Sequence, residues 1–219
     1  MTRVDNVGPQ RLGRVGASSA VLRLVRAASV ASAFVLSLAG GNVGAATQPY
    51  AVDLGHTRVW FAVSHFGFSI QPGVFRDIDV RFAFDRDRPE NSTLEVVIKA
   101  ASVDMFYERL NERLRARDFF NVEQYPDIKF HSTGVKMIAA NKAVVTGDFT
   151  LLGVTRPATF EVTLNKAAPH PLRADINALG FGATGTIDRT AYGMNAYAPM
   201  VGKDIQFTIS MEANDAPAR

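Results

Sequence analysis

The four histidines are the side chains of this chain that could hold a metal ion or transfer protons near neutral pH. They are His56, His65, His131 and His170. They lack the i,i+4 helical pairing and the two-residue strand spacing that metal sites often have, so a zinc site would have to be assembled from separate strands. The simpler interpretation places each histidine in a wall of the fold or at its surface. We therefore expect no metal site.

Nucleophilic catalysis has little support in the sequence. The chain contains no cysteine, which excludes a thiolate nucleophile and disulfides alike, and it has no G-x-S-x-G motif. Residues 182–185 (GATG) resemble a phosphate-binding loop, but the Lys-Ser/Thr that should follow is missing. Close packing between strands explains these glycines better. The sequence predicts a protein that is not an enzyme and requires no cofactor.

The elements that carry these residues are mainly strands. Large apolar side chains recur at every second position of residues 59–65, and from residue 76 to 84 apolar residues alternate with charged ones. This is the period of a strand with one solvent-exposed face and one buried face. Between the two strands, Pro72 and Gly73 predict a hairpin turn over residues 69–73.

The same alternation recurs through the rest of the chain and is interrupted once. We count roughly eight strands, the number at which an antiparallel sheet can close around one ligand. Residues 105–118 instead place Phe106, Leu110 and Leu114 at helical spacing, with Asp104 as the predicted N-cap. The sequence thus predicts an all-β fold, an antiparallel barrel of about eight strands with one inserted amphipathic helix that covers a barrel end or wall.

The first 45 residues have the order of a secretory signal. Arginines precede an apolar run over residues 27–39, and small residues follow at 43–46. The run is too short for a membrane span of ~20 residues, and a retained amphipathic anchor is the alternative. We expect a signal peptide over residues 1–45 and a domain over 46–219 that is periplasmic or secreted and not membrane-spanning.

The basic character of the chain belongs to that first segment. The formal net charge is +3, but five arginines and one aspartate precede residue 46; without them 24 basic residues become 19 and 21 acidic residues become 20, a net charge of −1. A near-neutral domain has no electrostatic footprint for DNA or RNA. We therefore expect no nucleic-acid partner.

Several short motifs occur in an order similar to that of the YceI-like family of secreted lipid-binding proteins. The first is H-[ST]-x-[VI]-x-F-x-V-x-H-x-G followed by G-x-F, and its residues are His56, Thr57, Val59, Phe61, Val63, His65, Gly67, Gly73 and Phe75. Later pieces lie at residues 102–104 (SVD), 117–120 (RDFF), 125–126 (YP), 147–155 (GDFTLLGVT) and 187–193 (IDRTAYG). The resemblance covers roughly residues 50–213.

The resemblance implies an extended, lipocalin-like barrel that holds a long polyisoprenoid, such as an isoprenoid quinone or a polyprenyl lipid. It also places a matching arginine and aspartate at Arg189 and Asp118. The simpler role for these two is a structural ion pair or a hydrogen-bond anchor near the barrel end. Composition alone does not decide whether side chains fill the barrel. It also does not decide whether the protein forms a homodimer.

The binding site is expected on the inward faces of the strands. We expect the odd positions of residues 59–65 to point inward, opposite the even positions of residues 78–84, with His65 near a polar mouth. The expected ligand-binding residues are Phe61, Val63, His65, Phe75, Ile78, Val80, Phe82, Phe84, Phe149 and Phe207.

Two other functions stay open. One is an isoprenoid-modifying enzyme that uses Arg189, Asp118 or a histidine as an acid or electrostatic catalyst. The other is a stress-related protein with a fully packed barrel that acts through its surface.

Overall fold

The computed structural model describes residues 47–215, and this part of the chain is mainly antiparallel strand. The strands are β1 (Gln48–Val52), β2 (Arg58–His65), β3 (Ser69–Phe75), β4 (Ile78–Phe84), β5 (Thr93–Lys99), β6 (Val103–Asp104), β7 (Asp127–Ala139), β8 (Lys142–Leu151), β9 (Val154–His170), β10 (Arg173–Asp188) and β11 (Asp204–Asn214). One α-helix, α1, spans Glu108–Arg115, and single 3₁₀ turns lie at Pro89–Asn91, Ala100–Ser102 and Arg189–Tyr192. The expected signal segment, 1–45, lies outside the described residues.

Eight of the strands close into a ring. Their order is β1-β4-β5-β7-β8-β9-β10-β11, and β11 pairs back with β1. Strand β11 also pairs with β2, which pairs with β3, and β3 pairs with the short β6. These three strands extend the wall beyond one end of the ring. The predicted all-β fold, a lipocalin-like antiparallel barrel of about eight strands with one inserted helix, is confirmed.

The alternation of side chains along β2 shows why the sequence folds this way. Val59 and Phe61 are buried, whereas Arg58 before them and Trp60 between them are exposed. Because successive side chains of a strand point to opposite faces, each strand contributes one apolar row to the interior and one row to solvent. The buried residues of all strands therefore form a lining around the barrel axis.

Two glycines let large rings lie flat against this lining. Gly73 pairs with Phe61 across β2 and β3, and Gly185 pairs with Phe160 across β9 and β10. A Cβ on Gly185 would lie 2.5 Å from the Phe160 ring. Close packing between strands, expected for the glycines of residues 182–185, is therefore present at Gly185.

The predicted turn over residues 69–73 is wrong. The chain reverses at Phe66 and Gly67, whose φ angles are 54° and 74°, and residues 69–73 belong to β3. Proline is tolerated in a strand where one side of the strand has no ladder partner. Pro72 pairs with Ala62 of β2, and β6 reaches only Val74 and Phe75 on the other side.

The predicted helix is shorter than expected at both ends. Asp104 does not cap it: its carboxylate accepts hydrogen bonds from the Phe106 backbone N–H at 2.7 Å and from the Asn111 side chain at 3.1 Å. The N-cap position is Tyr107. Phe106 has a φ of 61° and stacks on Trp60, with ring centroids 6.1 Å apart, at the exposed face of β2. Phe106 therefore lies outside the helix of which it was predicted to be part, although it does cover apolar surface on the barrel wall.

Leu110 and Leu114 do face the barrel interior, as predicted for the apolar side of α1. The helix thus covers one end of the barrel. Within residues 47–215, no helix has the length and apolar character needed to cross a bilayer.

We predict that Gly185→Ala destabilises the barrel by about 1–3 kcal/mol, the usual cost of forcing an extra methyl into a packed site. Gly182→Ala, on the same strand, is the control. Its new Cβ would meet only the Asn165 side chain, at 3.6 Å, so its free energy of unfolding should change by less than about 0.5 kcal/mol. Chemical denaturation measures both. Equal midpoints for the two variants would contradict the close approach of the Phe160 ring.

Candidate functional site

The inward side chains leave the barrel interior partly empty. Two cavities of about 410 and 350 Å³ occupy it. We call the larger one the upper chamber and the smaller one the lower chamber. Most of the side chains that line them are aliphatic or aromatic. The interior is therefore shaped for an apolar guest, and the alternative of a fully packed barrel does not describe this protein.

The chambers follow one another along the barrel axis. On β2, Val59 lines the upper chamber, and Phe61 and Val63 line the lower one. On the antiparallel strand β11 the order is reversed, because Ile205 lines the lower chamber and Ile209 the upper one. The same division recurs on β7, β8 and β10.

A layer of aromatic rings separates the chambers. Phe149 and Phe207 line both cavities, and their ring centroids are 6.1 Å apart. Tyr192 packs edge-on against Phe149 at 5.6 Å, and Phe160 packs against Phe207 at 6.3 Å. A guest that occupies both chambers has to pass Phe149 and Phe207.

The upper chamber reaches the surface beside the β7–β8 hairpin. The exposed residues Arg86, Asn141 and Lys142 belong to its lining. Asp85, which is only 1% exposed, holds the neighbouring loop by accepting hydrogen bonds from the backbone N–H groups of Asp87 and Arg88. The bond from Arg88 is the main reason that the pKa of the Asp85 carboxyl lies below its usual value.

The lower chamber reaches the surface at the end covered by α1. Its exposed rim contains His65, Phe66, Arg113 and Tyr197. The Arg113 guanidinium pairs with Asp118 and lies over the Tyr197 ring, 5.7 Å from its centroid. His65 therefore lies at a mouth of the barrel, as predicted.

Arg189 is a buried cation at the wall of the lower chamber. It is 2% exposed, and its guanidinium donates hydrogen bonds to the backbone carbonyls of Met194, Ala196, Val201 and Gly202 at 2.6–2.9 Å. Burial lowers the pKa of Arg189. The arginine thus anchors the loop of residues 193–202, which forms one side of the mouth.

Arg189 and Asp118 do not pair with each other. The role expected of Arg189, a hydrogen-bond anchor near the barrel end, is confirmed. Asp118 forms its ion pair with Arg113 instead. Asp118 lies only five residues after Arg113, near the end of α1, so these two residues can pair locally. The order of the motifs in the sequence gave no sign of this pairing.

All the predicted site residues line the chambers. Phe61, Val63, His65 and Phe75 lie in the lower one, Ile78, Val80, Phe82 and Phe84 in the upper one, and Phe149 and Phe207 between them. Their role in binding a ligand stays a prediction. Sequence reasoning missed other residues of the upper chamber, namely Leu94, Val96, Ile98, Val145, Val162 and Phe181. The alternation of β5 and β8–β10 carried the signal that could have found them.

One cluster of side chains within the described residues has atoms of the kind that bind metal ions. Atoms of Asp53, His56 and Glu212 that can bind a metal lie within 4.8 Å of one another near the surface. The Asp53 carboxylate already accepts a hydrogen bond from the Gly55 backbone N–H at 2.8 Å and contacts His56 Nδ1 at 2.9 Å. This contact lowers the pKa of Asp53 and raises that of His56. A cation would have to compete with these bonds.

A closed antiparallel barrel with an apolar lumen defines a class, the lipocalin-like barrels that can enclose a ligand. Residues 50–213 match the family model described as a YceI-like domain. The chain belongs to the YceI-like family.

Curated relatives agree with this assignment. A UPF0312 protein of Pseudomonas putida is 36% identical over 157 residues, which is 72% of this chain and 81% of the relative. A UPF0312 protein of Pseudomonas fluorescens is 33% identical over 175 residues, 80% of this chain and 90% of the relative.

Solved structures show the same fold. BcnA of Burkholderia cenocepacia has a TM-score of 0.67 at 21% identity and covers 74% of this chain and 98% of its own. The YceI protein of Campylobacter jejuni has a TM-score of 0.63 at 27% identity, with coverages of 69% and 88%. A polyisoprenoid binding domain from Saccharophagus degradans has a TM-score of 0.53 at 12% identity, with coverages of 76% and 98%.

We predict that Asp188 contributes to stability above pH ~4. Hydrogen bonds from the side chain and backbone of Thr190 and from Lys203 lower its pKa to about 2. Because the folded-state pKa is depressed, the contribution is present above the unfolded-state pKa of ~3.9 and is lost as the pH falls towards 2. Asp188→Asn should therefore flatten the fall in melting temperature between pH 4 and pH 2.

The control for this prediction is Asp204→Asn. It removes the other carboxylate that contacts Lys203, at 3.1 Å, and leaves the bonds of Thr190 intact. Thermal melts followed by circular dichroism at several pH values make the comparison. An Asp188→Asn curve as steep as that of the wild type would contradict the assignment.

Proposed function

We propose that this protein is a non-enzymatic carrier that encloses the tail of a long isoprenoid lipid, such as a quinone or a polyprenyl lipid, in the two chambers. The observation that carries the proposal is the apolar lumen itself, two chambers in line along the barrel axis. Membership of the YceI-like family supports it. So does the similarity in fold to a domain described as polyisoprenoid binding.

The shape of the lumen favours a long, thin guest. On β11 the lining extends from Ile205 to Met211, and at ~3.3 Å per residue this is roughly 20 Å of strand. A linear tail of several five-carbon units can fill such a space end to end. Each buried CH₂ contributes about 0.8 kcal/mol, so the tail supplies most of the binding free energy.

The enzyme alternative finds no support in the groups named for it. The guanidinium of Arg189 is engaged by four backbone carbonyls, and Asp118 is engaged by Arg113. His65 lies at the rim of the lower chamber rather than inside it. A carrier requires none of these groups to react.

Export is part of the proposal. A carrier of membrane lipids with a signal over residues 1–45 would work in the periplasm or outside the cell. Intact-mass analysis of the protein purified from its host should give an N-terminus near Ala46. A full-length chain in the cytosol would argue against export and leave the lipid proposal unaffected.

We predict that Val96→Gln abolishes the retention of lipid and that Val97→Gln does not. Both residues are valines of β5, but Val96 lines the upper chamber, whereas Val97 pairs with Asp79 and Lys129 on the other face of the sheet. A buried amide without a partner costs about 1–3 kcal/mol and also blocks the tail. Organic extraction of the folded variants followed by mass spectrometry measures the lipid content.

The same assay extends to three positions chosen from the sequence. Phe82→Gln and Val63→Gln should lose the lipid, because they place an amide in the upper and lower chambers respectively. His65→Gln should weaken retention only modestly, since a hydrogen bond at the rim is worth ~1 kcal/mol. A folded Phe82→Gln protein with a full lipid load would show that the upper chamber is not the site.

A further prediction concerns the ring layer between the chambers. Phe207→Trp narrows the passage beside Phe149, so a long tail can fill only one chamber. Losing even one five-carbon unit from the lumen should weaken binding more than about tenfold. Competition between a three-unit and an eight-unit prenol gives the readout: the variant should lose affinity for the longer prenol only. Equal losses for both prenols would place the tail elsewhere.

A further inference from the structure

Exposed apolar side chains surround the mouth of the lower chamber. We call this set the mouth patch, and it comprises Phe66, Phe68, Ile70, Tyr197 and Met200. Phe68 is 90% exposed, an unusual state for a large aromatic side chain. Contiguous apolar surface of this kind marks a site of interaction with a partner or a membrane.

The two segments that carry the mouth patch form one unit. The Phe66 backbone N–H donates to the Met200 carbonyl at 2.8 Å, and the Gly202 N–H donates to the Ser64 carbonyl at 2.8 Å. These bonds join the β2–β3 hairpin tip to the loop of residues 193–202. Since Arg189 anchors that loop from inside, the patch is fixed relative to the lower chamber.

The segments that carry the patch are uncharged, and the charges beside it are Arg113, whose guanidinium lies over the Tyr197 ring, and its ion-pair partner Asp118. Residues 65–75 (HFGFSIQPGVF) and 190–202 (TAYGMNAYAPMVG) contain no Asp, Glu, Lys or Arg, although 21% of the whole chain is charged. A charged side chain is costly to place in hydrocarbon, and aromatic residues favour the membrane–water interface. The composition of both segments therefore suits a lipid surface.

The patch is also continuous with the lumen. Phe66 and Tyr197 are exposed at the surface and line the lower chamber at the same time. Arg113, the charged side chain of this rim, is paired with Asp118, and Phe66 and Tyr197 provide apolar surface beside it. An apolar molecule could move between a bilayer pressed against the patch and the chamber without crossing water.

We propose that the mouth patch docks on the surface of a lipid bilayer, with Phe68 and Ile70 inserted and the lower chamber opening onto the membrane. Docking depends only on the patch. The exchange of an isoprenoid lipid between the bilayer and the chamber, in contrast, rests on the proposed function.

Flotation with protein-free vesicles of phosphatidylethanolamine and phosphatidylglycerol tests the docking. The full protein should float with the vesicles, and Phe68→Asp should reduce the bound fraction at least about fivefold. Leu172→Asp is the matched control, because Leu172 is 87% exposed at the β9–β10 turn. That turn lies towards the upper chamber, which Ala167 of β9 lines. Equal binding by the two variants, or no binding of the wild type, overturns the proposal.

A second measurement reports on the patch alone. Trp60 is the only tryptophan of the chain, so a Trp60→Phe background allows a single tryptophan to be introduced by Phe68→Trp or by Leu172→Trp. Brominated lipids should quench the fluorescence of the tryptophan at position 68 and leave that at position 172 unchanged. Equal quenching at both positions overturns the proposed orientation.

Lipid content separates this proposal from the carrier function. Phe68→Asp protein that is loaded with a prenol from detergent solution should hold as much lipid as wild type loaded in the same way, because the side chain of residue 68 lies outside the lumen. Protein that carries lipid but ignores vesicles overturns docking alone, whereas protein that docks but never carries an isoprenoid overturns the carrier function alone. Binding to native membranes without binding to protein-free vesicles would identify a membrane protein as the partner and overturn bilayer docking.

Discussion

The closure of the sheet through β11 is the constraint on which the rest of the structure depends. This one strand pairs with β10 along its length, with β2 over Gln206–Ser210 and with β1 at its C-terminal end. Closing a sheet removes the free edges of its ring and gives every strand an inner face. Once the ring is closed, the alternation of apolar and polar residues lines an enclosed space that reaches the surface at the two mouths.

Large aromatic side chains line the enclosed space without filling it, in part because some of their rings lie over glycines of the neighbouring strand. Phe61 and Phe160 each face a glycine on the adjacent strand, so their rings lie along the wall instead of projecting to the axis. Phe149 and Phe207 do project far enough to reach both chambers. Phe207 also pairs with a glycine, Gly185 of β10, so a glycine partner alone does not keep a ring on the wall.

Local sequence information predicted the inner faces well and the chain reversals poorly. Strict alternation placed Phe61, Val63 and Phe82 on the lumen, because the direction of a strand side chain depends only on its parity. Pro72 and Gly73 suggested a turn, but the chain reverses at the Phe66–Gly67 pair, where a non-glycine residue adopts a positive φ. The division into two chambers was beyond sequence reasoning, since it depends on residues from β8 and β11 that meet only after the ring has closed.

The short strand β1 is the strand of the ring with the fewest paired residues. It has five residues and holds the ring together through Gln48–Tyr50 on the β4 side and Ala51–Val52 on the β11 side, whereas β10 and β11 pair over the whole of residues 178–188. Segments with few backbone hydrogen bonds open locally at the lowest free energy and exchange their amide hydrogens fastest. Detachment of β1 would leave every other ladder intact and expose the upper chamber sideways, beside Phe82 and Phe84. Within the described ring, hydrogen exchange should therefore be fastest at β1, where the wall opens sideways at the lowest free energy.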